Sequence, residues 1–432
     1  MRHKTRDRNL EPMKQKSIPF SGYQKLVIAL LALLQFTVVL DFMVLAPLGD
    51  HLMKSFQISP SQFGWVVSGY AFSAGISGIA AAGFADKYDR KKMLLFFYTG
   101  FIGGTLFCAF AESYYMLLAA RIITGLFGGV IGAISLAIVT DLFALNQRGR
   151  VMGVVQMGFA ASQVLGIPVG LEIANKWGWH AAFLMIVALA LIIGICILVR
   201  MHPVDAHLAE QSDRSPFRHL LKTLGNRQYQ TGYAATALLS VGGFMLMPFS
   251  SAYLINNIRI DEHQLPLIFM ITGCASIVIM PIVGRLSDRI DKFHLFSAGS
   301  FVAIVMILVY TNLPPVSLWT VIGVNMILFM GIMGRMVPAM ALTTSLPEIS
   351  DRGAFMSVNG SLQQMAGGIA AVAAGTIVTQ PDPKGPLHHY TQLGITVAIV
   401  IIICAWFIFR VSQVVRSKNK AVTGNLVAQQ PH

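Results

Sequence analysis

Three ionisable side chains sit deep inside apolar runs of this chain: Asp41 in "LALLQFTVVLDFMVLAP", Arg121 in "YYMLLAARIITGLFGG" and Arg335 in "GIMGRMVPAM". Ionisable groups inside a bilayer are costly, so each is a functional candidate whose partner has to be found. A guanidinium beside a carboxylate favours the charged form, whereas dehydration favours the neutral one. A hydrated opening that moves from one side of a membrane to the other therefore switches the protonation of such a carboxylate. On this reading Asp41 is a proton-coupling group and Arg121 its modulator. The competing reading is a static ion pair that orders the helices.

Arg335 offers a different chemistry. With Gln35 and Asn325 it can line a polar cavity at mid-depth that accepts an anionic or hydrogen-bonding group; alternatively it bonds backbone carbonyls freed near Pro338. Met245 and Met247, with Phe244 and Phe249 in "GGFMLMPFSS", give either a pliable apolar wall for varied amphiphilic ligands or plain packing. Two further stretches concentrate charge. "AGFADKYDRKKM" (82–93) packs six charges into positions 86–92, and "GRLSDRIDKF" (284–293) is its counterpart further on. Asp86 and Asp288 are expected to face the positive N-terminal end of a neighbouring helix, a contribution of about 0.3–1 kcal/mol. Arg90, Lys91 and Arg289 are expected to pair with acids or helix C-termini across the molecule, latching one side shut; a topology anchor is the simpler alternative. No paired histidines, Ser–His constellation or metal-ligand spacing falls within the apolar runs. No G-x-x-x-x-G-K-[ST] loop occurs either, so an ATP-driven pump is disfavoured and no metal or cofactor is expected.

The helices that hold these residues can be read from composition. Among 432 residues 55% are hydrophobic and 12% charged, against roughly 25% charged in a soluble domain, and the mean hydropathy is +0.65. Runs of ~20 apolar residues cross a bilayer as helices. Twelve are predicted: 24–47, 61–84, 93–111, 115–143, 150–174, 180–201, 230–254, 264–286, 294–312, 317–345, 354–378 and 391–415. With the N-terminus cytoplasmic, 26 of the 32 Lys and Arg fall inside, Lys54, Lys176, Arg259 and Lys384 outside, and Arg121 and Arg335 within the membrane. That bias places both termini in the cytoplasm and reads the net charge of +13 as a topology signal with some affinity for anionic headgroups; nucleic acid is not an expected partner. Cys108, Cys196, Cys274 and Cys404 all lie in predicted spans and read as small packing residues. Asp41 and Arg121 each stand roughly 9 Å from the outer end of their spans, so their depths match. Arg335 and Gln35 likewise share a depth, about 15 Å from the inner face.

The hydrophilic stretch 202–229 divides the spans six and six. This predicts an N-terminal tail (1–23), a six-helix half (24–201), a central cytoplasmic loop (202–229), a second half (230–415) and a C-terminal tail (416–432). An offset near 203 lays Asp86 to Arg90 on Asp288 to Lys292, and "QRGRVMGV" (147–154) on "DRGAFMSV" (351–358). Gly158, Ser162, Gly166 and Gly170 form a small-residue ridge at four-residue spacing in the fifth span, echoed by Ala366, Ala370 and Ala374 in the eleventh. Small residues at that spacing let helices approach closely in lipid. A doubled six-helix unit is an architecture of transporters that rock about a midplane site.

The first charged stretch resembles the loop signature of the major facilitator superfamily, a small residue, Asp-Arg, then Gly-Arg-Lys-Lys; here Lys87 replaces Arg and Asp89 replaces Gly, and Asp291 stands at the Gly position of the second copy. "RIITGLFGG" (121–129) is similar to the fourth-span motif of that family, "GIPVG" (166–170, with Pro168) to the fifth-span motif associated with antiporters, and "WGWHAAF" (177–183) to the turn into the sixth span. The resemblance covers about residues 24–415. It implies an all-α membrane protein, twelve helices in two pseudo-symmetric halves, in a bacterial-type inner membrane and acting as a monomer without enzymatic activity. The expected function is a proton-coupled exporter, by antiport, of small organic, drug-like or sugar-like molecules, nearest the drug–proton antiporter-like branch. The nearest alternative is an uptake symporter for a small anionic metabolite, and a more remote one an intramembrane enzyme or receptor.

Overall fold

The structure, a computed structural model, describes residues 20–81, 88–205, 208, 222–348, 351–382 and 385–428, with side chains to 418. Twelve helical spans run through it, first to twelfth in chain order: Gly22–Val44, Pro60–Ala81, Arg90–Ala109, Tyr114–Leu142, Leu145–Trp177, Trp179–Arg200, Arg227–Asn256, Leu265–Arg289, Lys292–Tyr310, Leu318–Thr344, Arg352–Ile377 and Tyr390–Ala428. Among the described residues, eleven are both long and apolar enough to cross a membrane. The exception is the eleventh. At 26 residues it is long enough, but Asn359, Gln363, Gln364 and its run of glycines lower its hydropathy.

Starts are set by capping side chains, which satisfy amides that the first helical turn leaves free. The Ser21 hydroxyl accepts from the Gln24 amide at 3.1 Å, and the Gln24 side chain accepts from the Ser21 amide at 3.0 Å. The Ser113 and Ser317 hydroxyls open the fourth and tenth spans by accepting from the Met116 and Thr320 amides, without the returning side-chain bond. Pro47 stops the first span, because proline disfavours helical geometry in the residue before it.

Three apolar cores show how the halves meet. One is shared: Leu40, Val44 and Phe63 of the first half pack with Met245, Phe249 and Ala371 of the second, at the end away from the chain termini. At the termini end there are instead two separate cores. Val27, Phe101 and Ile138 belong to one, and Tyr229, Phe296 and Phe355 to the other. Among the described residues the halves are therefore sealed together at the far end and have separate cores at the termini end. The second and eleventh spans pack along each other, with the Ser68 hydroxyl donating to the Gly368 carbonyl at 2.6 Å. The fifth and eighth meet at Gly273 against Val164 and at Ser276 against Gln163 (3.5 Å).

Polar contacts fasten the sealed end. Asn256 donates to buried Asp50 at 2.6 Å, Ser251 to the Ala46 carbonyl at 3.0 Å, and Asn175 to the Glu262 carbonyl at 3.2 Å. All three join one half to the other. A hydrogen bond to a charged group contributes about 1.5–3 kcal/mol, so Asn256→Ala is expected to shift the population at least tenfold toward molecules open at this end. Spin labels at Gln57 and Arg259 would report a larger long-distance fraction; an unchanged distance distribution would show that the apolar seal alone decides the state.

Two spans depart from regular helix. In the fifth, Ser162–Gly166 forms a π-turn in which the Ile167 amide bonds the Ser162 carbonyl, five residues back. Pro168 has no amide hydrogen to continue the ordinary ladder, which accounts for the slip. The seventh breaks at Met245–Leu246 and continues through a 3-10 turn, Met247–Phe249, containing Pro248. The sequence pattern predicts an unbroken helix over 230–254. The local loss of helix-competent amides at Pro248 is what the hydropathy pattern does not register.

Candidate functional site

Asp41 and Arg121 come together at the matched depth expected of them. Asp41 Oδ2 lies 2.8 Å from Arg121 Nη1, and both side chains are 0% exposed. Thr105 of the third span donates to Asp41 Oδ1 at 3.1 Å. The Arg121 guanidinium carbon stands 4.6 Å from the centroid of the Tyr70 ring, on the second span. The first four spans thus share one buried polar knot. Its compactness depends on glycine, since a Cβ on Gly125 or Gly129 would strike the backbone of Tyr70 or Ala74, and one on Gly128 would lie 2.7 Å from the Tyr70 hydroxyl oxygen. Nε and Nη2 of Arg121 have no hydrogen-bond partner among the described residues. The guanidinium is held by one carboxylate and one aromatic face, a balance that loss of the carboxylate's charge would upset.

The small-residue ridge of the fifth span is the track along which the first span lies. Gly158 meets the Ala32 carbonyl and Phe36, the Ser162 hydroxyl donates to the Phe36 carbonyl at 2.7 Å, Gly166 meets Leu40 and Gly170 meets Val44. Contacts at every fourth residue on both helices fix the register of the first span, and so the position of Asp41 next to Leu40. Pro168 is buried in this track. From the knot a row of rings leads to the other half: Tyr70 to Phe42 (5.2 Å between centroids), then Phe42 to Phe244 (5.7 Å), at the break in the seventh span.

The remaining candidates are more dispersed. Gln35 is half-buried with its Cβ near Gly158, Met245 is buried in the helix break and Met247 half-buried beside it. Asn325 is 9% and Arg335 3% exposed. No hydrogen bond joins Gln35, Asn325 and Arg335 among the described residues. Nor does Arg335 bond a carbonyl freed by Pro338: its Nε and Nη2 are without partners among the described residues.

Asp86 lies outside the described residues. The turn just after it is a capping turn. Asp89 caps the third span through the Lys91 amide (2.8 Å), and Asp291 caps the ninth through the Phe293 and His294 amides. Their backbones match, with φ −54° and ψ 123° and 127°. Aspartate therefore replaces the usual glycine in both copies because the turn needs a cap and not a positive φ. Arg90 pairs with Asp141 at 3.2 Å and Lys91 donates to the Leu198 carbonyl at 2.9 Å, both within the first half. Asp288 and Arg289 are exposed in the last turn of the eighth span, and the dipole contact expected of Asp288 falls instead to Asp291. Asp291 is partly desolvated, which works against its charge, but Arg416 (2.6 Å) and the capped amides outweigh this and hold its carboxyl below the ordinary range.

Tyr70, Thr105 and Gln163 are absent from the sequence-derived set. An uncharged polar residue in a membrane helix carries no cost signal like that of a charge, so nothing in the sequence separates Thr105 from Thr124 or Tyr70 from Tyr98.

Comparison with known proteins agrees with this architecture. The family model described as Major Facilitator Superfamily matches residues 31–371 and 232–429. An uncharacterized MFS-type transporter of Bacillus subtilis strain 168, YbcL, is 24% identical over 386 residues, 88% of this chain and 95% of that one. A probable sugar efflux transporter of Mannheimia succiniciproducens is 23% identical over 273 residues, 62% of this chain and 66% of that one. Among solved structures, a bacterial homolog of the human lysosomal transporter Spinster, described as inward-facing and unoccupied, matches with a TM-score of 0.72 at 15% identity, covering 92% of this chain and 99% of that one. The paired six-helix halves and the family match over nearly the whole chain place it in the Major Facilitator Superfamily, a family of multi-pass membrane transporters of small molecules and not of enzymes.

Proposed function

We propose that this transporter is a proton-coupled exporter, exchanging protons for a small organic molecule by alternating access. The observation that carries the reading is the sealed Asp41–Arg121 pair, a carboxylate well inside the first span with one charged partner and one hydroxyl donor. Protonation of Asp41 removes the attraction that holds Arg121, so the proton and the arrangement of the first four spans are linked. The ring row from Tyr70 to Phe244 supports a mechanical link to the seventh span. The termini end is the cytoplasmic one on the distribution of Lys and Arg, which makes a molecule divided at that end inward-open. In the outward-open state the charged loops at 86–92 and 288–292 take up the latching role, with Arg90, Lys91 and Arg289 meeting the opposite half. The inner membrane, a monomeric unit, and substrate contacts from Gln35, Asn325, Arg335, Met245 and Met247 complete the reading. Export is supported by the "GIPVG" motif and by relatives named as probable sugar efflux transporters.

The test is flux in liposomes of purified protein under an imposed pH gradient, with labelled sugars, organic acids and cationic dyes as probes. Accumulation in an acidic lumen, abolished by a protonophore, is the expected result. Accumulation in an alkaline lumen would reverse the direction to symport, and flux indifferent to the gradient would remove proton coupling.

A further inference from the structure

Arg335 is the buried charge that the coupling pair does not use. Arginine stays protonated in proteins, and this one is 3% exposed with Nε and Nη2 unpartnered among the described residues. Its guanidinium points to the seventh and twelfth spans. A Cβ on Gly242 would stand 3.2 Å from Nη1 and 3.6 Å from Ile401, so glycine is what lets the backbone of the seventh span come this close to the guanidinium. Three residues on, the seventh span breaks at Met245, and interrupted helices are where transporters of this kind build polar sites within an apolar wall.

The spans around it offer no acid at its depth. The seventh, ninth, tenth, eleventh and twelfth spans contain neither Asp nor Glu, and the eighth carries only Asp288, exposed in its last turn at the termini end. Asp41 is committed to Arg121. An unpaired buried charge is strongly unfavourable unless something neutralises it. At the depth of the coupling pair and of Arg335, two guanidiniums face one carboxylate, which leaves a single positive charge there.

We infer that Arg335 is the counter-charge for the transported molecule, and that this molecule is a small organic monoanion, a carboxylate on an apolar body. Its carboxylate pairs with Arg335 beside Gly242, and its apolar part lies toward the half-buried Phe244 at the break in the seventh span. This deepens the transporter reading and rests on it.

The test uses the purified full chain in chloride-free sulfate buffer. Melting-temperature shifts are measured for a series of straight-chain and aryl monocarboxylates from acetate to 4-phenylbutyrate, each beside its uncharged primary amide. Carboxylates with longer apolar bodies are expected to stabilise the protein and their amides to do so far less. Arg335→Gln should weaken apparent affinity roughly ten- to hundredfold, the share of a charge-assisted hydrogen bond, and Arg335→Lys should retain part of it. Gly242→Ala, which keeps the charge and crowds Nη1 with a methyl group, should weaken binding too, and serves if Arg335→Gln does not fold. Equal shifts for acid and amide, or equal shifts in wild type and Arg335→Gln, would overturn the inference. So would chloride alone reproducing the full effect and blocking the carboxylates. Carboxylate binding without gradient-driven flux would instead remove proton coupling and leave Arg335 as an anion site. Gradient-driven flux of a neutral sugar, unaffected by Arg335→Gln, would do the reverse.

Discussion

Asp41→Asn is expected to abolish accumulation of substrate against a gradient while leaving exchange of substrate for substrate intact. Asparagine keeps the shape, and its Oδ1 can still accept from Thr105, whose hydroxyl lies 3.1 Å from Asp41 Oδ1. It cannot take up a proton, so one orientation of the first four spans no longer differs from the other by a charge. A charge moved across 100 mV is worth about 2.3 kcal/mol, roughly a fiftyfold concentration ratio. The variant should bring that ratio to one. Counterflow of labelled against unlabelled substrate, run beside gradient-driven uptake in the same liposomes, separates loss of coupling from loss of folding. Gradient-driven uptake that survives the substitution would make the pair a static fastening.

The second large effect is on stability. Arg121→Leu leaves the Asp41 carboxylate fully buried with Thr105 as its one remaining side-chain hydrogen-bond partner among the described residues, and removing one member of a buried pair typically costs about 3–5 kcal/mol. The double variant Asp41→Leu/Arg121→Met removes both charges. There the Thr105 hydroxyl can give its hydrogen to the Phe101 carbonyl, already 3.0 Å away, so no orphaned donor remains. Most of the lost stability should return although transport does not. Melting curves of the single and double variants close the cycle, and a double variant as unstable as Arg121→Leu would show that the cost lies in packing around Tyr70.

The spans were legible because bilayer-crossing helices announce themselves by length and hydropathy, although the eleventh falls short in hydropathy. Matched depth also sufficed to pair Asp41 with Arg121. What escaped were features set by contact and not by composition. Tyr70 is one tyrosine among eleven until the fourth-span glycines bring the second span against Arg121. The π-turn at Ser162–Gly166 and the break at Met245 arise from single prolines that hydropathy hardly registers. The charged loops were legible as a repeat, but their detailed partners were not. Asp89 and Asp291 act as caps, and the ion pairs of Arg90 and Asp291 stay within their own halves, as fits a molecule divided at its termini end.

Proton coupling as proposed requires Asp41 to gain and lose a proton as the molecule changes its open side. Infrared difference spectra of the reconstituted protein across a pH step observe this directly, through the carbonyl stretch of a protonated buried carboxyl. Such a band is expected in the wild type and is expected to disappear in Asp41→Asn. A band that persists in Asp41→Asn, or one that never forms in the wild type at any pH at which transport runs, would contradict proton coupling through Asp41.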